Sequence, residues 1–178
     1  MAKAIKNTLK IYDDYVGEDD EVGFVQFNNS TEVVFPVQAK SGRQGEHRAK
    51  ILAITAEGGT RFYTAIAECI DMAVKANSCG EKMGTWIVAL TDGDSRDDPE
   101  KAVKSLLKLK QDGTADIDVV IVGVDVSSYA VQACEKMCTA SEDSMYIDSH
   151  GGLAAMDEAF AQVAKLIGGD AGVAMEAF

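Results

Sequence analysis

The sequence predicts an α/β fold in which a doubly wound, mostly parallel sheet carries one antiparallel edge strand. Two strongly apolar segments support this prediction, the continuous run WIVAL at 86–90 and the buried strand IDVVIVGVD at 117–125. Such runs are typical of strands that helices cover on both faces of a parallel sheet. Helical patterns separate the strands, and this alternation indicates right-handed β-α-β crossovers within a single domain. A chain of 178 residues is long enough for one such domain with a proper core.

The chain begins with a predicted helix and a predicted hairpin. The helix ends near Gly17 and has one apolar stripe with a 3.6-residue period, formed by Ile5, Leu9, Tyr12 and Val16. Two strands at 22–28 and 32–39 are joined by the turn NNST, which predicts an antiparallel pair. Pro36 has no backbone N–H to donate, so the second strand is expected at the edge of the sheet.

Helices alternate with strands through the rest of the chain. In chain order, the predicted elements are a polar loop at 40–47, helices at 48–55 and 63–77, a strand at 86–92, a helix from Pro99 to Gln111, a strand at 117–125, a helix capped by Ser127 or Ser128, and a strand at 144–148. The last helix ends at Gly168. The predicted domain therefore covers 1–168, and 169–178 is expected to form a flexible tail.

The composition excludes several classes of function. The net charge is −12, from 29 acidic and 17 basic residues, and an acidic chain of this kind lacks the basic excess needed to bind nucleic acid. No apolar segment approaches the roughly 20 residues of a membrane span, and the first ten residues do not resemble a signal peptide. The four cysteines lack C-x-x-C spacing, which disfavours a zinc site. These features predict an intracellular protein with reduced thiols.

Ligands of an α/β sheet bind outside the carboxyl ends of its strands, where Asp92 and Asp125 are predicted to lie. Thr60 follows Gly58 and Gly59 directly before a predicted helix, and its hydroxyl is either a helix N-cap or an oxygen ligand. Asp92 ends the most apolar strand of the chain, and its carboxylate is either part of a turn or a ligand. Taken singly, each residue fits its local structural role better.

The two motifs together resemble the von Willebrand factor A (vWA) domain family. The resemblance rests on GGTRFYTAIAECI at 58–70 followed by WIVALTDGDS at 86–95, with VGFVQFNN at 22–29 and DVVIVGVD at 118–125 as further matching strands. It covers nearly the whole chain and implies a Rossmann-like fold and a protein–protein interaction module that is not an enzyme. In the family a divalent cation (a MIDAS-like site) binds a partner's carboxylate. The resemblance implies Thr60 and Asp92 as metal ligands.

Further residues of the implied site are outer-sphere or rim positions, namely Gly59, Gly93 and Asp94. The family's first strand, which ends in D-x-S-x-S and supplies the other ligands, has no counterpart in this sequence. We therefore expect the first central strand to be missing and a partial site that binds Mg²⁺, Mn²⁺ or Ca²⁺ weakly. In the family's strand order the missing strand would lie between the strands at 22–28 and 86–91. Either a partner donates a strand there, or the two edges pair directly.

Two other functions remain as alternatives. Some family members are metal-independent scaffold subunits of larger assemblies, and this chain would then bind partners through its helices. An enzyme that uses Asp92 as a phosphoryl acceptor or a general base is disfavoured, because the sequence lacks the acidic pair and the strand-end Lys that such a site requires.

Overall fold

The structure is a computed structural model that describes residues 2–55, 58–77, 84–92, 95, 97–113, 116–139, 143–151 and 153–168. Eleven helices and strands follow one another in these segments: α1 (Ala2–Asp14), β1 (Glu21–Phe27), β2 (Thr31–Ala39), α2 (Gln44–Leu52), α3 (Phe62–Asn77), β3 (Thr85–Thr91), α4 (Glu100–Asp112), β4 (Ile117–Gly123), α5 (Ser128–Cys138), β5 (Met145–Asp148) and α6 (Leu153–Gly168). The predicted tail at 169–178 lies outside the described residues.

Strands β3, β4 and β5 form a parallel sheet with β4 in the middle. Their register is continuous, with Thr85 opposite Ile117 and Thr91 opposite Gly123. Every residue of β4 is buried, as expected for a strand with neighbours on both edges and helices on both faces. The two apolar runs of the sequence are thus the two longest strands of the parallel sheet, and the predicted α/β class is confirmed.

Strands β1 and β2 form a separate antiparallel hairpin. Phe35 of β2 is buried against α1 and α2, and Pro36 is exposed on the same strand. β1 is the one described strand that pairs with β2, which agrees with the edge position predicted from Pro36. The hairpin and the parallel sheet are not hydrogen-bonded to each other in the described part of the chain, so direct pairing of β1 with β3 is not the arrangement observed.

Helices join the two sheets. On one side α3 packs Phe62 against Phe27 of β1 and also contributes to a cluster with Ile87 of β3. On the other side α1 places Leu9 beside the hairpin and Ile11 beside the parallel sheet. None of the described helices is both long and apolar enough to cross a membrane.

Helix α2 differs from its prediction. It begins at Gln44, whereas the sequence predicted a polar loop at 40–47 and a helix only from 48. The reason is His47, which is fully buried, stacks on the Phe35 ring at 4.2 Å between centroids, and is hydrogen-bonded to the Tyr12 hydroxyl and the Gln38 amide, both at 2.9 Å. These partners lie far from His47 in sequence, and their packing extends the helix over a locally polar segment.

Burial lowers the pKa of His47, and this predicts an acid-sensitive fold. In the unfolded chain His47 binds a proton near pH 6.5, whereas in the folded chain it binds this proton only at lower pH. The stability that comes from neutral, buried His47 is therefore complete above pH 6.5. It is lost as the pH falls through the lowered pKa of the folded state. One proton accounts for at most about 1.4 kcal/mol per pH unit. We expect the melting temperature to fall between pH 7.5 and 5.5, and to fall less in His47→Gln.

The control for this measurement is His150→Gln. The exposed His150 has a raised pKa, mainly through its hydrogen bond with Asp125, so it favours the folded state as the pH falls and partly masks the effect of His47. Its removal should steepen the loss at acid pH. An unchanged pH profile in His47→Gln would contradict the assignment to His47.

Candidate functional site

The glycine pair before α3 is held by the turn of the β1–β2 hairpin. The Gly59 N–H donates to the Asn29 side-chain oxygen at 2.8 Å, and a Cβ atom on Gly58 or Gly59 would lie 2.6 Å from Asn29. Gly58 also has a φ of +83°, in the left-handed region that favours glycine. Both glycines are therefore required where they stand, and the contact with Asn29 fixes the loop that carries Thr60.

The N-terminus of α3 is capped by the loop that follows β3. The Phe62 N–H donates to the Ser95 hydroxyl at 3.0 Å, and the Thr64 N–H and hydroxyl both donate to Asp97 Oδ2 at 2.6 Å. The Ser95 hydroxyl also lies 3.2 Å from the Thr60 carbonyl oxygen and in contact with Asp97 Oδ1, either of which can accept its proton. These bonds join the Thr60 loop to the loop after Asp92.

The capping role that Thr60 could have had is filled by Ser95 and Asp97. Thr60 is half-buried, and its hydroxyl makes no hydrogen bond to another described residue. Asp92 is exposed, directly after the buried Thr91 at the end of β3. Gly93 and Asp94, the other predicted rim positions, lie outside the described residues, whereas the predicted rim residue Gly59 is half-buried beside Asn29.

Asp97 is ionised in its capping position. Partial burial raises the pKa of its carboxyl, but the hydrogen bonds from Ser95 and Thr64 outweigh this and hold the pKa below its ordinary value. The charged carboxylate lies at the positive end of the α3 dipole, a favourable position for an anion. Because both oxygens of Asp97 are engaged in this way, Asp97 is not a free metal ligand.

A second polar cluster lies at the ends of β4 and β5. His150 Nδ1 is 3.1 Å from Asp125 Oδ1, and its Nε2 is 3.2 Å from Asp148 Oδ2. Asp125 has a φ of +52°, in the left-handed region that non-glycine residues rarely adopt. All three side chains are exposed. No motif in the sequence pointed to this cluster, since the three residues lie between positions 125 and 150 and helix α5 separates Asp125 from the other two.

The oxygen donors at this edge supply only part of a divalent cation site. Mg²⁺ prefers six oxygen ligands in octahedral geometry, and Thr60 with Asp92 offers two. No group of three or more His, Cys, Asp or Glu side chains suited to a metal ion occurs among the described residues. An ion bound by these two side chains would therefore have to obtain most of its ligands from water or from another segment.

Two substitutions distinguish the capping role of the Asp97 carboxylate from that of the exposed Asp92 carboxylate. Asp97→Ala removes the acceptor of two α3 hydrogen bonds and should destabilise the fold by about 1–2 kcal/mol, the range for loss of an N-cap. Asp92→Ala should leave stability in metal-free buffer unchanged or slightly raised, since it removes a negative charge from an acidic chain.

The measurement is the melting temperature by circular dichroism, where 1 kcal/mol corresponds to about 2–4 °C in a domain of this size. Asp97→Asn is the matched control, because it keeps one acceptor oxygen without the charge and should be intermediate. A large loss of stability in Asp92→Ala would identify Asp92 as a structural cap.

The fold is similar to several solved structures. A von Willebrand factor type A protein from Catenulispora acidiphila matches with a TM-score of 0.69 at 14% identity, over 94% of this chain and 38% of that one. The SpRpn10 VWA domain matches with a TM-score of 0.60 at 17% identity, over 96% and 83%. Manganese-loaded Plasmodium vivax TRAP protein matches with a TM-score of 0.61 at 18% identity, over 94% and 65%. The chain thus spans just over a third of the first of these structures.

At these identities the structures establish a shared fold. Among curated protein sequences, none is similar enough to this chain to count as a relative. The family model for the von Willebrand factor type A domain, however, matches residues 1–161. The order of strands and helices agrees with that match. The chain belongs to the von Willebrand factor type A domain family, a family of protein-interaction modules.

Proposed function

We propose that this chain binds a protein partner through the carboxyl ends of its strands, where Thr60 and Asp92 contribute two oxygen ligands to a divalent cation. The observation that carries the proposal is the hydrogen-bonded junction at Ser95, which fixes the Thr60 loop against the loop after Asp92 while leaving both ligand side chains without a described partner. Residues 58–60 are fixed from the other side by Asn29. A rigid frame around unengaged oxygens is what a ligand site requires.

The partner would complete the site with a carboxylate. A cation held by only two protein oxygens keeps several exchangeable positions, and a carboxylate from a partner protein is a suitable ligand for one of them. The ion, Mg²⁺ or in its place Mn²⁺ or Ca²⁺, would supply the positive charge that brings an acidic partner group to an acidic domain. The residues of the chain itself hold and orient the ion, and no chemical step is involved.

A metal-independent scaffold is the second candidate. It is favoured by the absence of any cluster of three metal-ligating carboxylates, cysteines or histidines in the described part of the chain. In that case the partner would contact the domain without an ion. An enzyme that uses Asp92 is not supported, because vWA domains are in general interaction modules and no described Lys or His pairs with Asp92.

The partial site predicts weak metal binding. At low-millimolar Mg²⁺ the ratio of ion to dissociation constant should stay near or below one, so the folded state gains at most about 0.4 kcal/mol. We expect a rise in melting temperature of about 1–2 °C at most, and a millimolar dissociation constant for Mn²⁺ measured by electron paramagnetic resonance. Thr60→Val and Asp92→Ala should each weaken Mn²⁺ binding further.

Asp112→Ala is the control for that titration, because Asp112 is an exposed carboxylate at the end of α4, outside the proposed site. Its removal should leave Mn²⁺ affinity unchanged. Micromolar affinity would mean that further ligands exist beyond Thr60 and Asp92. Equal, nonspecific binding by all variants would favour the metal-independent scaffold.

The cysteines support the proposal of an intracellular location. Cys69, Cys134 and Cys138 are free thiols, and Cys134 and Cys138 are buried together on α5; Cys79 lies outside the described residues. Burial raises the pKa of Cys134 to about 11 and of Cys138 to about 12. Thiols of this kind are inert packing groups, as is usual in a reducing compartment.

A thiol titration tests this proposal. Denatured in guanidinium without reductant, the chain should react with four equivalents of a disulfide reagent, the number of its cysteines. In the folded state the reaction of the buried thiols should be far slower, because it requires the thiolate and access to the core. A pre-reduced sample sets the reference. Fewer than four equivalents before reduction, rising to four after it, would argue against a reducing environment.

A further inference from the structure

Helix α4 (Glu100–Asp112) is positively charged in an acidic chain. Four of its 13 residues are lysines, whereas the whole chain has 17 basic residues among 178. Because Glu100 and Asp112 are its acidic residues, the helix has a net charge of +2, against −12 for the chain. Positive charge brings an acidic protein closer to neutrality, which lowers its solubility. Solubility therefore does not account for these lysines.

The lysines lie on the outer side of α4. The inner side of the helix is at most 4% exposed and belongs to the cluster that also contains residues of α3 and β3, through Ala102, Val103 and Leu106. Lys101, Lys104 and Lys108 are all exposed. Residues three and seven positions apart share one face of a helix, so these three form a row about 10 Å long, here called the lysine row.

Most of the positive charge in the lysine row has no counter-charge within the described part of the chain. Lys104 Nζ lies 2.6 Å from Glu100 Oε2. Lys101 and Lys108 form no ion pair with a described carboxylate. The pKa of Glu100 is lowered mainly by the hydrogen bond and charge of Lys104, and to a smaller extent by the charge of the exposed Lys136 on α5. The neighbouring helix therefore adds to the positive field.

An exposed apolar side chain borders the lysine row. Leu107 is 38% exposed, whereas the adjacent Leu106 is 3% exposed. Leu107 follows Lys104 by three positions and directly precedes Lys108, so it lies beside the row on the helix surface. Protein interfaces commonly combine an apolar centre with a polar or charged rim. A partner could therefore bury Leu107 while its own charges meet the lysines.

We propose that the lysine row and Leu107 bind an acidic helix of another protein, which places carboxylates opposite Lys101 and Lys108 and an apolar side chain against Leu107. The complementary charge identifies the partner as acidic. A helix is the suitable form because its side chains repeat along the axis at the same spacing as those of α4, so carboxylates one and two turns apart can meet the lysines together. Recognition of an amphipathic helix uses anchors at this spacing.

The size of the lysine row favours a short acidic segment over a nucleic acid or a membrane. Its length of about 10 Å is close to the Debye length of about 8 Å at physiological salt. The chain's charge of −12 and the +2 of α4 leave −14 for all other residues, so an extended anionic surface would also meet this negative charge and be repelled. A short helix contacts the row alone.

The test uses a fluorescent probe helix, Ala-Glu-Ala-Ala-Leu-Glu-Ala-Ala-Glu-Ala-Ala-Leu-Glu-Ala with blocked ends, whose Glu side chains share one face with Leu beside them. Binding is measured by anisotropy in EDTA, so the result is independent of the proposed cation site. We expect saturable binding whose Kd rises at least threefold between about 20 and about 200 mM NaCl, because salt shortens the Debye length. The same probe with Gln in place of Glu should bind at least tenfold more weakly. No saturable binding of the Glu probe, or equal binding of both probes, would overturn the proposal.

A double variant tests whether the lysine row binds the probe. Lys101→Gln with Lys108→Gln removes two exposed charges that have no described partner, so the circular dichroism spectrum should stay unchanged. The Kd for the Glu probe should rise about fivefold, the effect of losing two exposed ion pairs. Leu107→Ser should raise the Kd about threefold without changing its salt dependence, since it removes apolar contact and no charge. An unchanged Kd in the folded double variant would contradict the proposal.

The matched control is Lys6→Gln with Lys165→Gln, which removes the same charge from exposed positions of α1 and α6. These helices pack in the cluster that contains Val120 of β4, whereas α4 packs in that of Val119, so they lie on the other face of the parallel sheet. The Kd of the control should change less than twofold. Equal weakening in both double variants would mean general attraction to charge and would overturn the assignment to the lysine row.

Two further outcomes would assign the lysine row to a different partner. If phosphatidylserine vesicles bind the chain through Lys101 and Lys108 while the Glu probe does not bind, the row contacts a membrane. If light scattering finds a dimer that the Lys101→Gln and Lys108→Gln double variant does not form, a second copy of this chain covers the row. Either result would overturn the proposal. We expect a monomer that binds the Glu probe and not the vesicles.

Discussion

Apolar packing of helix α3 holds the two halves of this domain together, because no described strand carries hydrogen bonds between them. One face of α3 meets both sheets, with Phe62 against Phe27 of β1 and Ile66 and Ile70 in the same cluster as Ile87 of β3. In a continuous sheet the ladder of backbone bonds would fix the spacing of the strands. Here the spacing of the two sheets depends on closely packed side chains. Closely packed interiors have low compressibility, so this packing can hold the spacing.

The same helix places the candidate site. Its first turn receives caps from Ser95 and Asp97, which belong to the loop after β3, and its preceding loop is bound by Asn29 of the hairpin. The position of Thr60 relative to Asp92 is therefore determined by both sheets through one helix terminus. This arrangement also explains why Asp97 cannot serve as a ligand, since its charge is used to satisfy the free N–H groups that every helix N-terminus presents.

The sequence predicted the elements that depend on local pattern. Strongly apolar segments identified β3 and β4, and Pro36 identified an edge strand, because these signals follow from burial and from a missing donor. It placed the start of α2 wrongly, since the burial of His47 depends on Phe35, twelve positions away. The roles of Thr60 and Asp92 as metal ligands stay a prediction, and the sequence did not predict the contacts that Asn29, Ser95 and Asp97 make with the start of α3. A single Ser or Asp in a loop gives no signal of the helix that it caps more than thirty residues away.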